Sequence, residues 1–474
     1  MEHQDGLIER QTEGGISETE SVSPEPYRTL RSQALILLKQ GRFEDALWAM
    51  DEGVRFNPPV GMRIEKVLMM PPVLQSSSQV TELRNSLEVQ LQGIAASGAK
   101  VFDPAKEVEY TNFYLAYQGK NDKPIQQLIA RTFLHLSKPL SYRAPHIKTA
   151  SRLRHEGRIG IGVCSNNLRD NTVGLFFQGL IGQLDKRLYD VTILRPAEGK
   201  ADNVTRQYEQ AADRCVLLSA ALAEAQQQIA QLELDILFYP DLTVNPFITF
   251  LAFARLAVVQ ITSWGHPVTS GIPNIDYYIS GTDMEPPNAE DHYSEKLIKL
   301  SHFPTSYKPS RLLQSPLKRG FFGLPDDITI YFCGHQASKF HPEFDAVLAE
   351  ILERDADGTI AIVNAWLPKN LIDIVYNRFK ASFPHLARRL KIFPRQPRIH
   401  YLSLLNLVDV HLDPIYFGGG RTTFDILANG KVIVTWPGPY QRGRVTFACY
   451  KKMVTIQRIF AHNRYERRKS GNSP

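Results

Sequence analysis

Three consecutive glycines, Gly418, Gly419 and Gly420, run directly into Arg421, Thr422 and Thr423. Glycines let a backbone approach a ligand closely, and the two threonines add hydroxyls and amides where a helix would begin. Free N–H groups and the positive end of a helix dipole together favour an anion, a diphosphate above all. Arg421 adds a fixed positive charge. The same residues also suit a tight strand-to-helix turn with no ligand, and both readings stay open on these residues alone.

Such a loop needs a strand before it and a helix after it. The apolar run Val408-Asp409-Val410-His411-Leu412-Asp413-Pro414 reads as a buried strand, and 424–430 as a short helix ending on Gly430. Upstream, the pattern alternates: strands at 328–333, 360–363 and 390–393, helices at 343–353, 370–383 and 400–407, and a last strand at 432–436. An earlier run repeats it, with strands at 158–165, 189–194, 235–240, 258–264 and 277–280 and helices at 173–184 and 220–232. Strands alternating with helices imply mostly parallel sheets covered on both faces. Two such runs, split near 310–325, predict an α/β fold of two Rossmann-like domains, with ligand bound in the cleft outside the carboxyl ends of the strands. The glycine loop lies at such an end.

The remaining organisation follows from composition. The chain has 474 residues, 43% of them hydrophobic and 22% charged, ordinary for a globular protein of two or three domains. Residues 1–27, rich in Ser, Glu and Gly, predict disorder. Residues 28–150 predict a helical module. Within it Ala34, Leu35, Leu38, Gly41, Phe43, Ala46, Met50 and Pro58 match one tetratricopeptide (TPR) unit, or equally an ordinary helical hairpin, because a lone repeat builds no solenoid. Amphipathic helices follow at 79–96 and 124–136. The two α/β domains occupy 151–320 and 321–453, and 454–474 form an atypical basic tail. The net charge of +6 is concentrated at the end: residues 442–474 carry nine Lys and Arg against the single acid Glu466. The body is therefore no basic nucleic-acid surface, and no nucleic-acid partner is expected. Cys164, Cys215, Cys333 and Cys449 are scattered, without a CxxC pair, which argues against a zinc site or a disulfide framework and suits a reducing compartment. The polar, acidic start is no signal peptide, and no apolar run is long enough to span a bilayer. The expected location is cytoplasmic.

Several separated motifs then resemble, in order, the bacterial O-linked N-acetylglucosamine transferase (SPINDLY-type) family, glycosyltransferase family 41. They are Trp264-Gly265-His266-Pro267-Val268-Thr269-Ser270-Gly271, Asp276-Tyr277-Tyr278-Ile279, His292-Tyr293-Ser294-Glu295-Lys296-Leu297, Gln336-Ala337-Ser338-Lys339, the 417–425 loop, Trp436-Pro437-Gly438 and Arg442-Gly443-Arg444-Val445. The resemblance covers roughly 30–453. It implies a GT-B fold with a UDP-sugar cleft, a helical TPR module in front, and inverting transfer to protein side chains without a metal or other cofactor. N-acetylglucosamine transfer to Ser/Thr is the leading expectation; glucose transfer to Asn and a degenerate UDP-binding protein are the alternatives. By position, Lys339 is implied to neutralise the leaving UDP, where fixed donors at developing charge act most strongly. Without the resemblance it reads as a solvated surface lysine. Thr422 and Thr423 are implied pyrophosphate contacts, Asp425 a ribose acceptor, and Gln336 a phosphate or sugar contact. Arg398 and Tyr401 fall where relatives hold and stack on uracil, although plain helix packing also suits Tyr401. His266, Pro267 and Thr269 are implied to line the sugar pocket, with His266 not assigned as the base.

Two departures stand out. Many relatives have His in an Arg-Asp-His-Thr segment, where this chain reads Arg169-Asp170-Asn171-Thr172. Asparagine cannot accept a proton near neutral pH. Asp170 and Asp241 are the nearby carboxylates that could compensate, or they are loop caps. Past Met453 the family continues with further helices, and here the basic tail follows instead.

Overall fold

The structure, a computed structural model, describes residues 26–148, 157–312, 315–363 and 368–453. The expectations for 1–25 and for the tail 454–474 lie outside the described residues. The helical part comprises α1 (Pro26–Lys39), α2 (Phe43–Val54), α3 (Val60–Leu68), α4 (Ser77–Ala96), α5 (Pro104–Glu107) and, after a 3-10 turn at Phe113–Gln118, α6 (Lys123–Leu136). The α1–α2 hairpin turns at Gly41, whose φ of +77° favours glycine. It closes over Ala34, Leu38, Ala46 and Met50, all buried. Pro26 and Tyr27 belong to α1 rather than to the disordered leader expected through residue 27.

Seven strands follow: β1 (Ile159–Cys164), β2 (Tyr189–Pro196), β3 (Arg214–Leu218), β4 (Ile236–Tyr239), β5 (Val259–Ser263), β6 (Tyr277–Gly281) and β7 (Lys296–Leu300). They pair in parallel in the order β3-β2-β1-β4-β5-β6-β7. Helices α7 (Thr172–Gly182), α8 (Asn203–Ala211), α9 (Leu222–Ala230) and α10 (Pro246–Phe253) form the crossovers. The second sheet holds β8 (Ile330–Cys333), β9 (Thr359–Val363), β10 (Leu390–Phe393), β11 (Val410–Leu412) and β12 (Ile433–Val434) in the order β10-β9-β8-β11-β12, again parallel. Its helices are α11 (Pro342–Arg354), α12 (Lys369–Ser382), α13 (Arg398–Leu407), α14 (Arg421–Ala428) and α15 (Val445–Lys452). In each sheet the strand order reverses once, between β1 and β4 and between β8 and β11. These reversals are the switch points where such sheets open a crevice at their carboxyl ends.

The two edge strands β3 and β7 escape the sequence reading. Their burial patterns are mostly exposed, because an edge strand packs on fewer neighbours and tolerates charged residues.

Three contacts lock the parts together. The helical part shares one core with the first sheet: Ile64, Leu87, Ile129 and Phe133 pack with Leu222, Ile229, Leu251 and Phe253. Second, α15 crosses back from the second domain, so that Val445 and Ala448 join Val173, Phe176 and Trp264 of the first. Third, Gln441 reaches into the first domain. Its Oε1 accepts from the Tyr278 hydroxyl at 2.8 Å and its Nε2 donates to Ser280 Oγ at 2.8 Å. Among the described residues no helix is long and apolar enough to cross a membrane.

Candidate functional site

The second switch point carries the densest polar chemistry. Asp413 directly follows β11 and is buried. Its Oδ1 accepts from Gly419 N at 2.6 Å, and its Oδ2 accepts from Thr435 Oγ1 at 2.9 Å and Thr446 Oγ1 at 2.7 Å. Burial raises its pKa, opposed by these hydrogen bonds and by the charge of Lys339. Asp413 thus shapes the glycine loop from inside. The glycines serve this close approach rather than a left-handed backbone, since none of Gly418, Gly419 and Gly420 has positive φ. A Cβ on Gly418 would lie 2.7 Å from Asp413 Oδ2, and one on Gly419 would strike Thr423 Oγ1. Gly420 caps α14 and faces the Phe176 ring of the first domain, 3.4 Å from where its Cβ would lie.

Lys339 ends a short 3-10 turn, Ala337–Lys339, that follows β8. Its Nζ donates to Gly418 O at 2.6 Å and sits 4.6 Å from the centre of the Phe417 ring. Burial lowers its pKa to about 8, with Asp413 and Cys333 pulling upward. It is therefore a half-buried ammonium pinned to the glycine loop, not a solvated surface lysine. His335, buried beside it, lies 3.6 Å from Asp413 Oδ1; burial and the Lys339 charge push its pKa well down, so it is neutral. Gln336 donates from Nε2 to the Tyr117 hydroxyl at 2.8 Å.

The two threonines diverge. Thr422 stands at the start of α14, beside Tyr401. The Thr423 hydroxyl is turned inward, 2.9 Å from Thr446 Oγ1. Tyr401, on α13, also donates weakly to Gly334 O at 3.4 Å, and its ring packs beside Phe332. Asp425 is buried and its carboxylate already accepts three hydrogen bonds. Oδ1 accepts from the Tyr307 hydroxyl and from Ser310 N, both at 2.8 Å, and Oδ2 accepts from Arg398 Nη2 at 2.7 Å. Arg421 Nε donates to the same Tyr307 hydroxyl at 3.0 Å. The segment that connects the two sheets therefore lies across the face expected to hold a ribose.

The first switch point presents a second group. Asp241, after β4, is buried and accepts from Asn167 Nδ2 at 2.6 Å. Burial lifts its pKa to about 6, with hydrogen bonds from Ser165 and Asn167 opposing. Asn167 Oδ1 accepts from Asn171 Nδ2 at 3.1 Å. Asn171 in turn caps α7, its Oδ1 accepting from Gly174 N at 3.0 Å. Asp170 is exposed, with its N–H donated to Asp202. The structure therefore separates the two carboxylates: Asp241 is buried after β4 and Asp170 stands at the surface.

His266, after β5, is buried between Thr243 Oγ1, 2.5 Å from its Nδ1, and the Phe113 ring, stacked at 4.7 Å. Burial and Arg442 lower its pKa to about 3, so it is a neutral imidazole. Thr269 donates to Glu295 Oε2 at 2.5 Å and is held inside the fold, while Pro267 lines a small cavity with Asp122, His292 and Arg442.

Three participants carry no local sequence signal of their role. Asp413 is visible only as an acid at a strand end. Tyr117 and Tyr307 reach the glycine loop from segments separated from it by hundreds and by more than one hundred residues.

No protein-family model matches the chain. It is 28% identical over 227 residues to a probable UDP-N-acetylglucosamine--peptide N-acetylglucosaminyltransferase SPINDLY of Solanum lycopersicum; the match spans 45% of this chain and 23% of that protein. It is 26% identical over 228 residues to a UDP-glucose:protein N-beta-glucosyltransferase of Actinobacillus pleuropneumoniae, across 48% of this chain and 36% of that protein. The chain thus covers well under half the length of these relatives. A mutant O-GlcNAc transferase of Thermobaculum terrenum superposes with a TM-score of 0.70 over 94% of this chain and 82% of its own, at 20% identity. The two parallel sheets with their switch points share the GT-B fold of that transferase, and by sequence the chain is similar to proteins described as probable UDP-N-acetylglucosamine--peptide N-acetylglucosaminyltransferases, SPINDLY and SEC.

Proposed function

We propose that the chain is a UDP-sugar-dependent, inverting protein glycosyltransferase that transfers N-acetylglucosamine to Ser or Thr hydroxyls. The observation that carries this reading is the Lys339 ammonium bonded to Gly418 O, at a switch point and beside the start of α14. An ammonium and helix amides fixed at one place form a preorganised site for a departing diphosphate. In this reading the acceptor oxygen attacks the anomeric carbon from the face opposite UDP. Its proton passes to the Asp241 carboxylate, the anomeric C–O bond breaks, and the electron pair leaves on the β-phosphate oxygen, met by Lys339. The reading needs no metal. Asp241 suits the base role because its pKa of about 6 leaves it ionised at neutral pH. Asn171 cannot serve, being a helix cap without a basic nitrogen.

Glucose transfer to Asn is the second reading, favoured by the Actinobacillus relative. Incubating the protein with a peptide library and either UDP-GlcNAc or UDP-glucose, then measuring peptide mass, separates the two. UDP titration of wild type and Lys339→Ala tests the common core: weakened binding in the variant supports it. Absence of UDP binding to wild type at millimolar nucleotide sinks both. Binding without any sugar transfer favours a non-catalytic UDP-binding protein.

A further inference from the structure

The 3-10 turn Phe113–Gln118 belongs to the helical part of the chain, yet it packs against both α/β domains. Phe113 stacks on His266 of the first domain at 4.7 Å, with ring planes 16° apart. Tyr117 stacks on Phe417 of the second at 4.5 Å and 7°. Val268, from the loop after β5, packs in the same cluster. The buried Tyr117 hydroxyl also accepts the Gln336 hydrogen bond.

Both of these contacts end on Lys339. Gln336 opens the turn that carries it, and Lys339 N donates to Gln336 O at 3.0 Å. Phe417 lies under the Lys339 ammonium and directly precedes Gly418, whose carbonyl binds that ammonium. One ring therefore braces the lysine through its own turn and through the loop that receives its proton. We propose that Tyr117 is a positioning residue for Lys339, through which the helical part of the chain completes the site. This rests on the reading of Lys339 as the group that meets the leaving diphosphate. A pairwise packing role alone would need only one of the two contacts.

The groups facing Lys339 are Asp413 from the loop after β11, Cys333 and His335 from the end of β8 and its loop, and Phe417 from the glycine loop. A Tyr117 variant leaves the identity of all four unchanged, so a change in the lysine's titration reports its position, its hydration and the placement of Phe417. The test follows Lys339 by NMR of reductively 13C-methylated protein, assigned with Lys339→Arg, alongside kcat and KM for UDP-GlcNAc. Y117L removes the ring and the hydroxyl. It is expected to move the lysine titration up from about 8 toward the ordinary value. It should also lower kcat about tenfold while leaving KM within about threefold. Y117F keeps the stacked ring but loses the Gln336 hydrogen bond, and should fall between wild type and Y117L in both, as should Gln336→Leu. If Y117L does not fold, Gln336→Leu removes the other half of the hydrogen bond and reads the same titration. An unmoved lysine titration in a folded Y117L protein overturns the proposal. If wild type binds no UDP, the glycosyltransferase reading fails, and the lysine titration still decides whether Tyr117 positions Lys339.

Discussion

The Tyr307 hydroxyl donates to Asp425 Oδ1 at 2.8 Å, tying the connector between the two sheets to the helix that follows the glycine loop. Ser310 N and Arg398 complete the shell around that carboxylate. A ribose hydroxyl that binds Asp425 competes with these donors. Tyr307→Phe removes one competitor and leaves the ring against Phe176 and Phe424. UDP and UMP should then bind about two- to tenfold more tightly, a gain of about 0.4–1.4 kcal/mol, the net worth of one hydrogen bond. Inorganic pyrophosphate, which has no ribose, should bind as before. Isothermal titration checks all three ligands; weaker UDP binding would instead make Tyr307 part of the nucleotide's own support.

Asp413 holds the glycine loop at Gly419 N and ties it to Thr435 and Thr446. Asp413→Ala leaves Gly419 N and two threonine hydroxyls without their acceptor and takes the nearest counter-charge from Lys339. Each stranded buried group costs about 1–3 kcal/mol. The variant should lose about 3 kcal/mol of stability in urea unfolding and bind UDP poorly. Thr435→Ala removes a single donor and should cost about 1 kcal/mol.

The pH dependence of transfer follows from two groups with opposed requirements. Asp241 acts as base only when ionised, so the rate should rise as pH increases through about 6. Lys339 acts only when protonated, so the rate should fall as pH increases through about 8. A bell with limbs near these values is expected in kcat/KM. Lys339→Arg should move the alkaline limb out of the measurable range, and Asp241→Asn should lower kcat about a hundredfold or more. A flat profile in wild type would remove both assignments.

The fold was largely readable because a parallel sheet buries its strands, so that β1, β8 and β9 stand out as apolar runs between helices. The edge strands β3 and β7 were not, since nothing forces alternation on a half-covered strand. The glycine loop, Lys339 and Gln336 were legible because strand ends and the motif order point at them. Their partners were less so. Thr423 and Thr269 look like exposed ligands in the sequence, and the structure turns both hydroxyls inward, onto Thr446 and Glu295. Tyr117 has no local feature that announces a contact with Phe417, three hundred residues away. Which hydroxyl stays free depends on packing between distant segments, and no local pattern records it.

Gly419 tests the close-approach argument directly. A Cβ there collides with Thr423 Oγ1. Gly419→Ala should therefore cost about 1–3 kcal/mol by overpacking and shift the start of α14. Replacing Thr423 with Ala in the same chain removes the colliding oxygen. The double variant should then be more stable than the sum of the two single losses predicts, by at least about 0.5 kcal/mol. Strict additivity in urea unfolding would mean that the loop relaxes without touching Thr423.

Glu285 makes the interface between the two Rossmann-like domains sensitive to pH. Its Oε1 accepts from Ser280 Oγ at 2.5 Å and from the Tyr293 hydroxyl at 2.8 Å, and Ser280 also receives Gln441 from the second domain. Its Oε2 has no hydrogen-bond partner among the described residues. Burial raises the carboxyl pKa from 4.5 to about 7, against the hydrogen bonds of Ser280 and Tyr293. The folded state thus binds this proton more tightly than the unfolded chain does. The stabilisation is fully present below pH 4.5 and is lost as pH rises through about 7. Glu285→Gln keeps the shape and removes the titration. Thermal unfolding should show the variant close to wild type at pH 5 and more stable at pH 8, with the gap opening between those values. A gap that is constant with pH would show that Glu285 is ionised in the fold throughout, with its charge met by Arg444 across the same interface.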